Sequence, residues 1–507
     1  MKPEIRTSIL LAAGFAFAAM SAWLRYLALC QTPYANGWDS YFYLVQLKSL
    51  KETGAMHSPE ASLIYPYLQW FYRICGDYVL ALKAGIAVLA GALCWLAFSL
   101  PAAEGPFWTV FSRKAAAASL FLFSPHLGYF AAQFPKNLLG FMLLIAFIAS
   151  LPCEKPAVRN TWRWLLPAFL LILNYFGHRL TFALAVLYAG LWWLEHNGSR
   201  FPKKILRKAL PWLLAVTVAW LAAGSVFPGL FHPVDLGRLK GVFSLYPQFA
   251  PWSFVDSFGI GRISPWWLAE IVLLTLVWGW FCVVMAVRLF RKNSDAIPIG
   301  NTFALCSMLL FPFLEWSLTS LSYRFFLVFV LLTPLLVIRW LEQKTALTGL
   351  IFAAVFTGCS FFSWKGYDPD KHDPDYAVFD AITHRATQRL GGYSPELVIA
   401  HNALAEYFTF SSGIDAMPWL PEYEIAPERL WRIAAGIPLQ TLRYYSNTPK
   451  EVYSLGGAWV LLPEYCWEQA IEAAKKEGDD DFLAQTRLWQ NPSRRRPGWL
   501  LHRKRKF

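Results

Sequence analysis

Asp39 is the residue in this sequence whose type and position most suggest chemistry. It lies in Asn36-Gly37-Trp38-Asp39-Ser40-Tyr41-Phe42-Tyr43, directly after the first long apolar run. A carboxylate at the point where a chain leaves a bilayer can accept a proton from a hydroxyl group or balance a developing positive charge. The same position also suits a helix N-cap, because a helical pattern follows it, so a purely capping role is the competing interpretation.

A second set of residues could bind an anion such as a phosphate, since Lys and Arg are common phosphate ligands. The set comprises Lys136, His178, Arg179 and Arg324, and Glu315 and Tyr323 lie near Arg324 in the sequence as supporting residues. Each also has a structural interpretation. Lys136 could anchor a span at the membrane interface, and Arg179 could reach lipid head groups. Arg324 and Glu315 could form a simple ion pair.

The elements that must position these residues are membrane spans. The chain has 507 residues, of which 56% are hydrophobic and 16% charged, a composition that excludes an ordinary soluble enzyme. About eleven apolar runs can cross a hydrocarbon core of about 30 Å, although the fifth of them is short. They are 8–30, 79–100, 113–131, 136–152, 163–176, 179–194, 209–228, 265–288, 298–318, 322–340 and 345–362.

The distribution of positive charge predicts the orientation of the spans. Residues 1–362 contain 28 Lys and Arg against 14 Asp and Glu, whereas the remaining residues contain 18 against 19. Seventeen of the basic residues in the first part fall in alternate short loops, and such loops stay in the cytoplasm. We therefore expect a cytoplasmic N-terminus, an external C-terminus, and Asp39 on the outer face. The positive charge belongs to the membrane part and does not indicate nucleic-acid binding.

Two domains are predicted, a transmembrane catalytic domain over 1–362 and an extracytoplasmic domain over 363–507. The second domain has two segments with the pattern of strands, 396–400 and 458–462. It also has two segments with the pattern of helices, 375–390 and 464–476. This alternation predicts a small α/β domain. In the first, residues 39–53 predict a helix lying on the membrane surface, with Gln46 on its polar side.

The pattern resembles the GT-C superfamily of membrane glycosyltransferases. The stretch from Asp39 to Leu44, followed by a Tyr-rich helix and Tyr65-Pro66, is similar to the first external loop that carries the catalytic acid of that superfamily. The stretch from Tyr323 to Pro334 is similar to a span of the oligosaccharyltransferase catalytic subunit whose Arg contacts the carrier phosphate. The resemblance implies Asp39 as the catalytic carboxylate, Arg324 as a phosphate ligand, and a polyprenyl-linked sugar donor.

The sequence departs from the oligosaccharyltransferases in two places. Their second external acid is missing, because residues 131–137 contain no Asp or Glu, and their Trp-Trp-Asp-Tyr-Gly type of motif is missing as well. Both departures argue against protein N-glycosylation and against a metal requirement. No cofactor is therefore predicted, and a divalent metal stays an open alternative.

Together these features predict a polytopic α-helical membrane protein of a bacterial inner membrane. It would move a sugar from a polyprenyl phosphate or pyrophosphate carrier to a glycan, lipid or protein acceptor of the cell envelope. The predicted site comprises Asp39 as the catalytic residue, Arg324, Arg179, His178 and Lys136 as donor-phosphate ligands, and Glu315, Tyr323 and Tyr41 as supporting residues. The alternatives are a lipid transporter or flippase, and a non-catalytic GT-C-like subunit. Transporters usually place charges at mid-bilayer and show paired repeats, which this sequence does not.

Overall fold

The computed structural model describes ten stretches of the chain and some isolated positions. The stretches are 2–58, 60–100, 105–151, 164–197, 354–361, 376–390, 398–400, 402–414, 416–418 and 459–461. The chain forms two compact units, of which the first comprises Met1–Pro33 and Ser58–Pro369 and the second Tyr34–His57 and Asp370–Phe507. The segment that carries Asp39 therefore belongs with the C-terminal residues, whereas the predicted division at 362 grouped it with the spans.

The described elements are eleven helices and three short strands. In chain order the helices are α1 (Pro3–Leu29), α2 (Ser40–Thr53), α3 (Ile64–Cys75), α4 (Tyr78–Ser99), α5 (Phe107–Leu122), α6 (Pro125–Gln133), α7 (Pro135–Ser150), α8 (Leu165–Gly177), α9 (Arg179–Asn197), α10 (Tyr376–Leu390) and α11 (Asn402–Ser412). The strands are β1 (Val398–Ala400), β2 (Ala416–Pro418) and β3 (Trp459–Leu461).

The chain is a helical membrane protein. Within the described residues, α1 and α4 are each long and apolar enough to cross a membrane, and α5 with α6 would form a third span bent by 52°. Helices α7, α8 and the first part of α9 are also apolar but shorter. Large apolar side chains such as Phe15 and Trp23 are exposed on α1, as expected for a helix that faces lipid.

Several predicted spans correspond to described helices. The runs 8–30, 79–100, 136–152, 163–176 and 179–194 correspond to α1, α4, α7, α8 and α9. The run 113–131 is instead split between α5 and α6, and α5 begins at Phe107, so that Arg113 and Lys114 lie inside a helix rather than in a loop. The run 345–362 is helical over 354–361. The runs 209–228, 265–288, 298–318 and 322–340 lie outside the described stretches.

Small residues allow α1 and α4 to pack closely. A Cβ atom added at Gly91 would lie 2.7 Å from the backbone oxygen of Ala18, and one added at Gly14 would lie 2.9 Å from the Phe98 ring. The Ser21 hydroxyl donates a hydrogen bond to the Ala90 carbonyl at 3.4 Å. Close backbone approach and interhelical hydrogen bonds are what hold helices together in lipid, where apolar contact alone gives little preference.

A buried arginine of α1 stabilises the break between α5 and α6. Nη2 of Arg25 donates to the carbonyls of Phe121 at 3.4 Å, Leu122 at 3.4 Å and Ser124 at 2.7 Å. The last carbonyls of a helix have no intrahelical partner, and in a membrane no bulk water replaces that partner. A cation at a helix C-terminus is also favoured by the helix dipole. Arg25 therefore makes a sharp bend tolerable inside the apolar unit.

The second unit combines helices with a small parallel sheet. The strands lie in the order β2-β1-β3, with Ile399 opposite Met417 on one side and Val460 on the other. Helix α11 connects β1 to β2 and packs against α2 and α10. It ends at Ser412 because Gly413 follows with a φ of 73°, a left-handed conformation that favours glycine. Strands β1 and β3 fall within the predicted strands 396–400 and 458–462.

Helix α2 is present where predicted but is more enclosed than a surface helix. Its first eight residues are buried apart from Phe42, and Gln46 is fully buried although the sequence placed it on the polar side. The exposed residues are confined to the C-terminal turn, at Lys51, Glu52 and Thr53. The amphipathic pattern therefore reflects packing within the protein along the first two turns.

Replacing Arg25 with Met should destabilise the first unit. The carbonyls of Phe121, Leu122 and Ser124 would lose a charged donor, which we expect to cost about 2 kcal/mol of unfolding free energy. Thermal unfolding of the detergent-purified protein measures the change. Arg25→Lys should recover part of the loss, since an ammonium can donate to the same carbonyls. An unchanged midpoint for Arg25→Met would show that the bend does not need this donor.

Candidate functional site

Asp39 occupies the N-cap position of α2 without acting as a side-chain cap. Its φ and ψ are −96° and 3°, and its carboxylate makes no capping hydrogen bond. Asp77 shows the contrast, because its carboxylate accepts a hydrogen bond from the Leu80 N–H at 2.7 Å at the start of α4. Capping was the structural interpretation of Asp39 in the sequence. The geometry does not support that role.

The acceptor for the first turn of α2 comes from another helix. The carboxyl group of Glu406, on α11, accepts a hydrogen bond from the backbone N–H of Phe42. Its Oε2 atom is enclosed and has no hydrogen-bond partner among the residues that the structure describes. Because that oxygen is unpartnered, the hydrogen bond to Phe42 uses Oε1. Two carboxyl groups, those of Asp39 and Glu406, therefore lie at the N-terminus of α2.

The pKa of the Glu406 carboxyl is raised well above its ordinary value. The largest cause is burial, which disfavours the charged form, and the second is the negative charge of Asp39. The hydrogen bond from the Phe42 N–H acts in the opposite direction and is the smallest of the three causes. Glu406 therefore favours the neutral acid at a pH where an exposed glutamate is ionised.

Tyr41, predicted as a supporting residue, is part of the core that fixes α2. Its ring centroid lies 4.7 Å from that of Tyr407, 4.8 Å from that of Tyr376 and 5.4 Å from that of Phe410. Rings at these distances in tilted or edge-to-face arrangements attract one another beyond their burial of apolar area. The cluster joins α2 to α10 and α11, so Tyr41 positions the helix that begins beside Asp39.

Polar contacts complete the same packing. The Tyr407 hydroxyl donates to Oδ1 of Asp380 at 2.8 Å, and the Tyr376 hydroxyl donates to the Gly37 carbonyl. Nζ of Lys48 donates to the Phe410 carbonyl at 3.0 Å, near the end of α11. Burial and then the hydrogen bond to Asp380 raise the pKa of Tyr407. These contacts fix the loop before α2 and the middle and C-terminal part of α11 within the second unit.

The structure brings Lys136, His178 and Arg179 to one end of helices α7, α8 and α9, and we call these three residues the cation cluster. Lys136 lies in the first turn of α7, His178 follows the last residue of α8, and Arg179 begins α9. A Cβ atom added at Gly140 would lie 2.6 Å from Cβ of His178, so glycine is required for this approach. Two helix N-termini, each with a partial positive charge, therefore accompany the cations.

The tight turn between α8 and α9 is held by its own hydrogen bonds. The Thr181 hydroxyl donates to Oδ1 of Asn174 at 2.7 Å, and Nδ1 of His178 accepts from the Leu180 N–H at 3.2 Å. Because Nδ1 is an acceptor, the proton of the neutral His178 ring lies on Nε2. That nitrogen is then the ring atom able to donate to an anion.

Lys136 has an acidic partner that the sequence did not indicate. Its ammonium forms an ion pair with the carboxylate of Glu60, which also accepts a hydrogen bond from the Tyr65 hydroxyl. Both charged side chains are about one-fifth exposed, at 22% and 21%. The positive charge of Lys136 is therefore partly balanced by Glu60.

The structure places Asp39, Tyr41, Lys136, His178 and Arg179, and the roles predicted for them stay predictions. Arg324, Glu315 and Tyr323 lie outside the described residues. Glu60 and Glu406 were missed, although Glu406 has one signal in the sequence, as a lone acid within the apolar stretch 403–408. Over the described stretches, no group of three or more His, Cys, Asp or Glu side chains could hold a metal ion.

Replacing Gly140 with Ala should displace the turn that carries His178. The added methyl group would contact Thr181 and His178, which we expect to cost about 1–3 kcal/mol of unfolding free energy. Gly190→Ala is the matched control, because Gly190 lies in α9 with nothing within 4 Å of an added Cβ. The control should be neutral or slightly stabilising in the same thermal unfolding experiment. Equal midpoints for the two variants would contradict the close packing.

Comparison with known proteins gives one distant structural likeness. No protein-family model matches the chain, and no curated protein matches it. Among solved structures, the chain is similar to the crystal structure of ArnT from Cupriavidus metallidurans bound to undecaprenyl phosphate. The match covers 80% of this chain and 84% of that chain, with 11% sequence identity and a TM-score of 0.40. A likeness at this distance carries no argument about function, which must come from the residues of this chain.

Proposed function

We propose that the chain is a membrane glycosyltransferase that takes a sugar from a polyprenyl phosphate or pyrophosphate carrier. Asp39 acts as the base toward an acceptor hydroxyl. The cation cluster, together with Arg324, binds the phosphate of the donor. The acceptor is a glycan, lipid or protein of the cell envelope. The protein lies in a bacterial inner membrane with its N-terminus in the cytoplasm and both Asp39 and the C-terminal unit outside.

The proposed reaction is a single displacement at the anomeric carbon. The acceptor oxygen forms a bond to that carbon while the bond between the carbon and the phosphate oxygen breaks. The proton of the acceptor hydroxyl goes to the Asp39 carboxylate, and the electron pair leaves with the polyprenyl phosphate. Cations near the leaving oxygen stabilise the charge that develops there. Attack opposite the leaving group inverts the configuration of the anomeric carbon.

The main support for the proposal is the arrangement of the two carboxyl groups at the N-terminus of α2. Asp39 lies at the helix start but does not cap it, and the capping hydrogen bond comes from Glu406 instead. We assign the negative charge of the two carboxyl groups to Asp39, because burial and the charge of Asp39 both favour the neutral form of Glu406. A general base must be ionised before it accepts a proton, which this arrangement provides.

The assignment of a phosphate to the cation cluster rests on charge and on helix ends. Arg179 begins α9, and the first backbone N–H groups of α7 and α9 have no acceptor within their own helices. Helix N-termini and basic side chains are together the usual ligands of phosphate oxygens. Nε2 of His178 supplies a further donor. We assign Arg179 to this phosphate site because its guanidinium group lies at the start of α9.

Replacing Asp39 with Asn should abolish transfer while leaving the fold intact. Removing a general base usually costs about 10²–10⁴ in rate, and the Asp39 side chain makes no capping hydrogen bond that the fold would lose. Release of free polyprenyl phosphate from a panel of polyprenyl-phosphate-linked pentoses and hexoses, in membranes that supply acceptors, measures turnover. We expect the wild type to release the carrier and Asp39→Asn to release at least about a hundredfold less.

Asp77→Asn is the matched control for this experiment. Asp77 is a true cap of α4, so an Asn at this position should preserve both the fold and turnover. If Asp39→Asn kept turnover like Asp77→Asn, Asp39 would not be the base. If the wild type released no carrier from any donor of the panel, a transporter or a non-catalytic subunit would replace the enzyme as the best interpretation.

Replacing Arg179 with Ala should weaken donor binding. One charge-assisted hydrogen bond contributes about 1.5–3 kcal/mol, so the apparent KM for the donor should rise about tenfold or more. Donor-concentration series for the wild type, Arg179→Ala and Arg179→Lys measure the effect, and Lys should recover part of it. Arg73→Ala, at an exposed position of α3, serves as the control for loss of a positive charge. Equal KM values for Arg179→Ala and Arg73→Ala would remove Arg179 from the phosphate site.

A further inference from the structure

We infer that Glu406 is a positioning residue for Asp39, which holds the first turn of α2 as a neutral acid and leaves the negative charge on Asp39. The inference rests on the proposed function in naming Asp39 as the base. It supplies a second acid from the C-terminal segment, about 370 residues away in sequence, whereas the loop at 131–137 contains none. The proposed partner of Asp39 is therefore another carboxyl group of the same chain.

The first support is the hydrogen bond from the Phe42 N–H to Glu406. Phe42 is the third residue of α2, the position whose N–H an N-cap side chain normally satisfies. Glu406 performs this function from α11. A neutral carboxyl group can accept this hydrogen bond through its carbonyl oxygen, so that protonation does not break the contact.

The second support is the burial of the other carboxyl oxygen. Although Glu406 as a residue is partly exposed, its Oε2 atom is enclosed without a partner among the described residues. An enclosed carboxylate oxygen without hydrogen bonds is costly, and protonation removes most of that cost. Oε2 is therefore the atom that carries the proton.

The charged groups on the elements around Glu406 favour the same state. From α2, Asp39 acts on it with a negative charge, and Lys48 lies at the other end of α11 against Phe410. From α10, Asp380 is a hydrogen-bond acceptor of Tyr407 and adds no positive charge. A second negative charge in the same region disfavours ionisation of a carboxyl group, and here the charge of Asp39 acts in this way on Glu406.

The sign of the pH effect on stability follows from the raised pKa of Glu406. A group with a folded-state pKa above its unfolded value of 4.5 stabilises the fold fully below that value. Its contribution is lost progressively as the pH rises from 4.5 through the folded-state pKa. Across this pH range, the unfolding free energy of the wild type should therefore decrease relative to that of a variant without the Glu406 carboxyl group.

The main test compares thermal unfolding of the full-length protein in detergent across this pH range. From about pH 5 to about pH 8, the wild-type midpoint should fall by about 2 °C or more relative to Glu406→Gln. Asp39→Asn should reduce the same difference, because it removes the repelling charge. The unfolding midpoint of the double variant should change with pH no more than that of Glu406→Gln alone. Glu52→Gln, at an exposed position of α2, is the control and should follow the wild type.

Turnover gives a second readout that separates positioning from simple support of the fold. Glu406→Gln keeps an acceptor for the Phe42 N–H and carries no charge, so its turnover should fall by no more than about threefold. Glu406→Ala removes the acceptor, and its turnover should fall by about tenfold or more. Loss in Glu406→Gln as large as in Asp39→Asn would overturn the inference, because it would mean that the ionised or proton-donating acid is required.

The two proposals fail in different ways. If Asp39→Asn keeps full turnover, Asp39 is not the base of the proposed reaction, whereas the pH dependence of unfolding still reports on the coupling of the two carboxyl groups. If Glu406→Gln and the wild type show parallel midpoints at every pH, the inference is wrong whatever the activities are. The inference is also wrong if the unfolding midpoint of Asp39→Asn changes with pH as much as that of the wild type.

Discussion

The second unit depends on one constraint, which is that the backbone N–H groups in the first turn of α2 need hydrogen-bond acceptors. The first N–H groups of a helix have no acceptor within it, and this helix start is buried. The side chain at the cap position does not meet the demand, so an acceptor must come from elsewhere. Glu406 supplies it, and its placement requires α11 to lie against α2. The aromatic cluster around Tyr41 provides the apolar area that makes this packing favourable.

The same constraint recurs in the membrane unit, where distant side chains satisfy helix ends. Arg25 of α1 donates to the last carbonyls of α5, and Lys114 of α5 donates to the Phe98 and Ser99 carbonyls at the end of α4. In each case a cation lies at a helix C-terminus, as the dipole favours. These contacts account for charged residues inside an otherwise apolar unit, and they assign such residues to architecture rather than to chemistry.

The sequence predicted features that depend on composition over a long window. The spans at 8–30 and 79–100 are helices because about twenty apolar residues leave few alternatives in a membrane. The break after Leu122 was not predictable, because its stability depends on Arg25, about a hundred residues away. The two acids near the candidate residues, Glu60 and Glu406, were missed for the same reason. Their importance comes from partners far along the chain.

The local pattern also misled in one instructive place. Alternation of apolar and polar residues in 39–53 suggested a polar side containing Gln46, yet this side chain is fully buried. An amphipathic pattern reports that a helix has two kinds of surface, but not which partner covers each of them. The helix existed as predicted, and its bounds were within one residue of those expected. The identity of its neighbours depended on tertiary structure.

The discontinuous second unit has a practical consequence for recombinant fragments. Residues 370–507 follow the last predicted span and could be taken for an independent domain. Their compact unit also includes 34–57, however, which lies between two membrane helices in the sequence. A fragment that begins at 370 would lack α2 and would expose the buried rings of Tyr407 and Tyr376, which pack against Tyr41. Such a fragment would tend to aggregate. Soluble expression of this unit should instead join 34–57 to the C-terminal residues through a flexible linker.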